Sequence, residues 1–93
     1  MKTGNDLIGF MNEAREDPRL SPSHLSTYLA LVYLGAEQGG DFVCVSARTL
    51  MPLAKIASPG PYHRVMRELH AYGYIRYMPS CNPRVPSRAW LDF

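Results

Sequence analysis

The segment Ser58–Ile75, SPGPYHRVMRELHAYGYI, constrains the fold more than any other stretch, because it carries a start, a stop and two unlike faces. Ser58 or Gly60 can serve as a helix N-cap, and Pro59 or Pro61 then falls in the first turn, where a missing N–H is harmless. Gly73 follows the last helical residue, at the left-handed position that favours glycine. Tyr62, Val65, Met66 and Leu69 recur at helical spacing and form an apolar stripe. His63, Arg64, Arg67 and His70 fall outside that stripe, and the strand-like run Tyr74-Ile75-Arg76-Tyr77 follows at once. A short helix with a basic outer face, feeding a β-hairpin, is the arrangement expected of a DNA-reading helix followed by a wing.

The rest of the chain supplies a frame for this helix. Leu7, Ile8, Phe10, Met11 and Ala14 predict an acidic, weakly amphipathic helix over residues 5–16, capped by Asn5 or Asp6 and ended by Pro18. Ser21-Pro22 opens a second helix that runs to about Ala36 and is apolar nearly all round, so it should be buried on more than one side. Gln38-Gly39-Gly40-Asp41 is a turn signal, and Phe42–Val45 is a short strand candidate. A further helix follows with Leu50, Leu53 and Ala54 as its buried positions. If Ser46 caps it, Pro52 lies beyond the first turn, where proline costs about 3 kcal/mol; if Thr49 caps it, Pro52 is tolerated. After Gly73 come a strand (Tyr74–Met78), a stiff proline-bearing loop (Pro79–Ser87) and a return strand (Arg88–Leu91), on which one of Trp90 and Leu91 packs inward.

Ninety-three residues suit one compact unit with a modest core, residues 1–18 forming an N-terminal helix and 19–93 the main domain. A hydrophobic content of 46% argues for a folded globule over a disordered tail. The net charge of +2 hides an asymmetry. Residues 1–39 carry Lys2, Arg15 and Arg19 against Asp6, Glu13, Glu16, Asp17 and Glu37, net −2. Residues 40–93 carry seven basic and three acidic side chains, net +4, which points an anionic partner to the C-terminal half. No apolar run approaches the ~20 residues of a bilayer span, and no signal-peptide pattern opens the chain, so a cytoplasmic location is expected. Cys44 is then a reduced, buried small hydrophobe and Cys81 a reduced loop residue.

Candidate DNA contacts follow from this layout. Arg64 and Arg67, three apart on one helical side, suit phosphates or guanine edges, with Lys55 and His63 beside them. The competing reading is a solvated face on which Arg64 pairs with Glu68 one turn on. Arg84 and Arg88 suit a wing that meets the backbone or a narrow minor groove, or merely keep a hairpin edge soluble. Tyr62 belongs to the core stripe, and Tyr72, Tyr74 and Tyr77 to a packed corner from which one hydroxyl could reach a phosphate. Pro59 and Pro61 delete two amide donors at the helix N-terminus, so binding there should depend on side chains. His63, His70 and Cys81 lack metal-site spacing, and no nucleophile–base set, carboxylate pair or glycine-rich phosphate loop is visible, so neither metal, cofactor nor catalysis is expected.

The expected class is therefore mainly α with a small β-hairpin: a winged helix-turn-helix, three helices plus a wing, with an extra N-terminal helix. RLSPSHLSTYLALVYL (Arg19–Leu34) and LAKIASPGPYHRVMRELHAYGYIRYMPSCNP (Leu53–Pro83) resemble a family of small Bacteroidetes proteins. Those are winged-helix transcriptional regulators associated with conjugative transposons and other mobile elements. The resemblance spans roughly Phe10 to Leu91, and Pro52 and Pro59-Gly60-Pro61 depart from it. It implies regulation of a mobile element through double-stranded DNA. Accessory DNA bending in excision or transfer, and a protein-interaction module that never touches DNA, are the alternatives. No separate effector domain fits in the length, so regulation is expected to come from dimerisation, abundance or a partner, with no small-molecule ligand implied. A symmetric homodimer through Pro22–Ala36 and the N-terminal helix is expected because it would read two half-sites about one helical turn apart (~34 Å).

Overall fold

Helix ends appear where the sequence marks them, with a few instructive shifts. The computed structural model describes residues 3–82 and 84–91, the first four of these by backbone alone. Along them run α1 (Thr3–Ala14), α2 (Pro22–Gln38), β1 (Val43–Val45), α3 (Ala47–Ala54), α4 (Pro59–Ala71), β2 (Arg76–Met78) and β3 (Ser87–Trp90), in the expected order. The strands form one antiparallel sheet, β1-β3-β2, in which Ala89 lies opposite Val43 on one side and Tyr77 on the other. The protein is mainly helical with a small three-stranded sheet, so β1 widens the expected hairpin by one strand.

Each boundary has a local cause. Asn5 and Asp6 already lie inside α1, so neither caps it. The helix stops at Ala14, two residues early, because Glu16 and Asp17 donate only three residues back, to the Glu13 and Ala14 carbonyls. Two residues beyond the expected Ala36, α2 ends where Gly39 turns left-handed (φ 71°). The side-chain amide of Gln38 leaves that last turn to pair with Cys44, accepting from its N–H at 2.8 Å and donating to its carbonyl at 2.9 Å. Ser46 caps α3, its Oγ accepting from the Thr49 N–H at 3.3 Å, so Pro52 lies inside the helix and not in its first turn. The carbonyl that Pro52 deprives of a donor belongs to Arg48, on an exposed turn open to solvent. At the end of α4 the Tyr74 N–H donates to the Leu69 carbonyl at 2.9 Å and the Gly73 N–H to that of His70 at 3.1 Å, with Gly73 at φ 87°. This is a Schellman closure. It also occupies the N–H groups of Tyr74 and Ile75, which is why β2 begins at Arg76 and not at Tyr74.

The core is built from both ends of the chain. Phe10 stacks on Tyr28 with ring centroids 3.8 Å apart, and Tyr74 meets Phe10 edge-on at 5.3 Å, fastening α1 to α2. Beneath them Leu31, Leu50, Tyr62, Val65, Met66, Leu69 and Ile75 are buried, and Val43, Val45 and Ala89 complete the layer from the sheet. Burial of each such side chain contributes about 1.5–3 kcal/mol. Tyr62 is core and not a base-stacking group, because it is fully buried, and that burial pushes its phenol well above its ordinary pKa. Two expected core positions face outward instead. Leu53 is exposed beside Leu29 and Tyr33, and Cys44 is half-buried on the outer face of the sheet, opposite Arg88. Leu91 packs on the core while Trp90 turns outward against Phe42, at 5.6 Å. A radius of gyration of 12.2 Å, against about 12 Å for a compact chain of this length, means that α1 folds back on the rest. Among the described residues no helix is long and apolar enough to cross a membrane.

Candidate nucleic-acid interface

The turn between α3 and α4 is tight because Lys55 adopts a left-handed backbone (φ 62°). The Met51 carbonyl then accepts from both the Lys55 and Ile56 N–H groups, and Ile56 drops into the core. Ser26 closes the neighbouring end of α3, its Oγ donating to the Ala54 carbonyl at 2.8 Å. A non-glycine residue in this conformation costs about 1–2 kcal/mol. Lys55 is exposed, so the cost is accepted at a position that carries a cation on the turn.

On α4 the stripe Tyr62, Val65, Met66 and Leu69 is buried, and His63, Arg64 and Arg67 are exposed. Among the described residues neither arginine has an ion-pair partner. The i, i+4 pairing of Arg64 with Glu68 is overturned, because Glu68 is held by a residue far away in sequence. Its Oε1 lies 2.9 Å from Nε2 of His24, at the start of α2. His24 is 4% exposed, and its Nδ1 accepts from the Ser21 backbone N–H at 2.9 Å. That acceptor role leaves Nδ1 bare, so Nε2 carries the proton and donates to Glu68. The only carboxylate of α4 is thereby turned toward α2, away from the arginines. His70 is likewise structural, its Nδ1 accepting from the Tyr77 N–H at 3.1 Å. The tyrosine corner has no hydroxyl spare at Tyr74, which donates to Oδ2 of Asp17 at 2.7 Å, and the Arg19 guanidinium lies 4.0 Å over the Tyr72 ring.

The N-terminus of α4 differs from an ordinary anion cradle. Ser58 is the N-cap, with Pro59 and Pro61 at the first and third helical positions. A capping hydroxyl bonds to the N–H of the second or third residue. Proline removes the third donor and leaves the Gly60 N–H as the one possible partner, and Ser58 makes no side-chain cap bond. The other end of α4 borders an open hollow lined by Glu13, Glu16, Asp17, Arg19 and Tyr74. Arg19 is committed there, 2.7 Å from Asp17. Together with the Tyr74 hydroxyl it holds the Asp17 carboxyl well below the usual carboxylate range. Charge is therefore graded along α4, cationic on the outer face and anionic beyond its C-terminal end.

Lys55, His63, Arg64 and Arg67 share one helix–turn–helix unit, whereas Arg84 and Arg88 belong to the hairpin. Arg84 is exposed on the loop, its backbone N–H bonded to Oδ1 of Asn82 at 2.9 Å. Arg88 lies within β3, in the return strand where it was expected, its guanidinium 4.9 Å over the Phe42 ring. Arg76, not among the expected contact residues, mirrors it at 5.1 Å over Trp90. The alternation Arg76-x-Met78 across from Arg88-x-Trp90 was the available signal, since residues two apart share a sheet face. Among the described residues no three His, Cys, Asp or Glu side chains gather as a metal site. No known protein family, curated protein or solved structure matches the chain.

Proposed function

We propose that the protein is a winged helix-turn-helix that binds double-stranded DNA as a transcriptional regulator, with α3–α4 as the reading unit and β2–β3 as the wing. The element order and the β1-β3-β2 sheet support that fold. The observation that carries the function is on α4: its exposed arginines have no ion-pair partner among the described residues, while its one carboxylate is bound to His24. Lys55, His63, Arg64 and Arg67 are assigned to the major groove or its rim, and Arg84 and Arg88 to backbone or minor groove. A protein-interaction module would present an apolar outer face on Pro61–Tyr72, and the residues exposed there include His63, Arg64, Arg67 and His70. The mobile-element setting rests on the resemblance of Arg19–Leu34 and Leu53–Pro83.

A symmetric dimer accords with the other side of the molecule. Leu29 is 54% exposed between two apolar hollows, one lined by Leu7, Met11 and Leu25, the other by Tyr33 and Leu53. Neither lining contains a charge, so the surface can meet a copy of itself without repulsion. Two reading units would then address half-sites about 34 Å apart. Gel-shift titration against duplex from upstream of the coding sequence, beside random duplex, tests the function. A tighter shift on the upstream DNA is expected. No shift at low salt defeats the DNA reading, and equal shifts leave only non-specific binding.

A further inference from the structure

Between Glu68 and Asp92 the chain holds three arginines, Arg76, Arg84 and Arg88, and no carboxylate side chain. The loop joining β2 to β3 within this stretch is internally bonded. The Ser80 N–H donates to Ser87 Oγ at 3.0 Å across its base. Ser80 Oγ accepts from the Asn82 N–H and donates to the Asn82 carbonyl, which also accepts from the Val85 N–H at 3.0 Å. Pro79 and Pro86 bracket these bonds and fix the backbone at both ends. From this stiff frame Met78 and Val85 stand 61% and 45% exposed, lining one shallow hollow with Pro79, Pro86 and Arg88. Met78 lies directly across the ladder from Arg88.

Resting on the DNA reading above, we propose that this hairpin is a wedge: Met78 and Val85 enter the minor groove and unstack a base step, bending the duplex. Apolar side chains held rigidly beside arginines, in a stretch whose residues 69–91 include no carboxylate side chain, match a polyanion whose apolar interior becomes accessible only when bases part. Side chains such as methionine and proline act in this way in other minor-groove proteins, producing kinks of roughly 20–90°. Arg84 and Arg88 flank the insertion and neutralise phosphates, and α4 holds the adjacent major groove. Stiffness is the second requirement, because a floppy loop would fold its apolar side chains back before it could part a base step. The activity added to site recognition is a change in DNA path.

The test uses the full chain and end-labelled duplexes about three helical turns long (~10.5 base pairs per turn) tiled from upstream of the coding sequence. Anisotropy reports binding, energy transfer between the ends reports bending, and 2-aminopurine placed along the site reports unstacking. The wild type is expected to bind, raise end-to-end transfer and brighten 2-aminopurine at one step. Met78→Ser/Val85→Ser should still bind, about three- to thirtyfold more weakly, with transfer at the level of free duplex. Met78→Leu/Val85→Ile should retain the bend, and both pairs are surface changes whose folding is checked by circular dichroism. Wild-type binding without bending, or equal bending by the serine variant, overturns the wedge and leaves DNA recognition standing. Absence of binding at low salt overturns both. Flotation of the wild type, but not the serine variant, with phosphatidylglycerol vesicles in the absence of a bend would assign the hairpin to a lipid surface and overturn the wedge.

Discussion

Lys55 joins stability and the proposed function at a single residue. Its left-handed backbone (φ 62°) costs about 1–2 kcal/mol, part of which glycine recovers after its own entropy penalty of about 0.5–1 kcal/mol. Lys55→Gly should therefore raise the melting temperature by up to a few degrees while weakening DNA binding. Lys55→Ala should weaken binding equally without the thermal gain; thermal melts and anisotropy on the two variants compare both effects directly. Asp17 gives a second residue-level expectation. The Arg19 guanidinium, the Tyr74 hydroxyl and the Arg19 backbone N–H stabilise its ionised form and depress its pKa. A depressed acid contributes stability above its unfolded pKa of about 3.9 and loses it as pH falls through the folded value. Asp17→Asn should then be less stable than wild type at neutral pH, with the gap closing in melts run below about pH 4. At the alkaline end, burial and the Asp17 carboxylate push the Tyr74 phenol up to about 12. Its contribution is complete below about pH 10 and fades as pH rises toward that value.

Helix α4 separates two kinds of consequence by face. Met66→Ala on the buried face should cost about 2–5 kcal/mol in denaturant unfolding. Arg64→Ala on the exposed face should stay within about 0.5 kcal/mol of wild type, yet lower DNA affinity far more than Pro59→Ala or Pro61→Ala. Comparable losses from the proline variants would contradict a dominant Arg64 contact, because replacing proline with alanine adds an amide donor and removes none. The start, stop and faces of α4 were legible because Ser58, Gly73 and the stripe Tyr62–Leu69 are local signals. The start of β2 was not, since the N–H groups of Tyr74 and Ile75 serve the helix cap and a strand-like composition cannot reveal that. The partner of Glu68 was also hidden, because His24 lies 44 positions away and only the packing of α2 on α4 brings them together. Both sheet edges carry a further device that is silent in the sequence. Gln38 pairs with Cys44 on β1 and His70 with Tyr77 on β2, so side chains occupy backbone groups that would otherwise invite another strand.

Across the whole molecule, the apolar surface around Leu29 and the cationic surface of α4 and the hairpin make separate demands. Leu29→Asp should leave the fold intact, since the residue is 54% exposed, and convert the proposed dimer to monomer in light scattering. A wild type that is already monomeric at high concentration would contradict the self-complementary surface. The charge asymmetry that first pointed to an anionic partner was legible from counting residues. Its organisation was not: Asp17 and Arg19 neutralise each other beyond one end of α4, and His24 draws Glu68 away from Arg64. Among the described residues Arg64 and Arg67 keep no ion-pair partner, and the proposed activity depends on them. The most direct test is affinity for upstream duplex over a salt series, for wild type and for Arg64→Ala/Arg67→Ala. The logarithm of affinity should fall linearly with the logarithm of salt, by about 0.9 for each phosphate contact, and the double variant should show a slope smaller by roughly two. Identical slopes for the two proteins, or no binding at low salt, would contradict a DNA-binding face on α4.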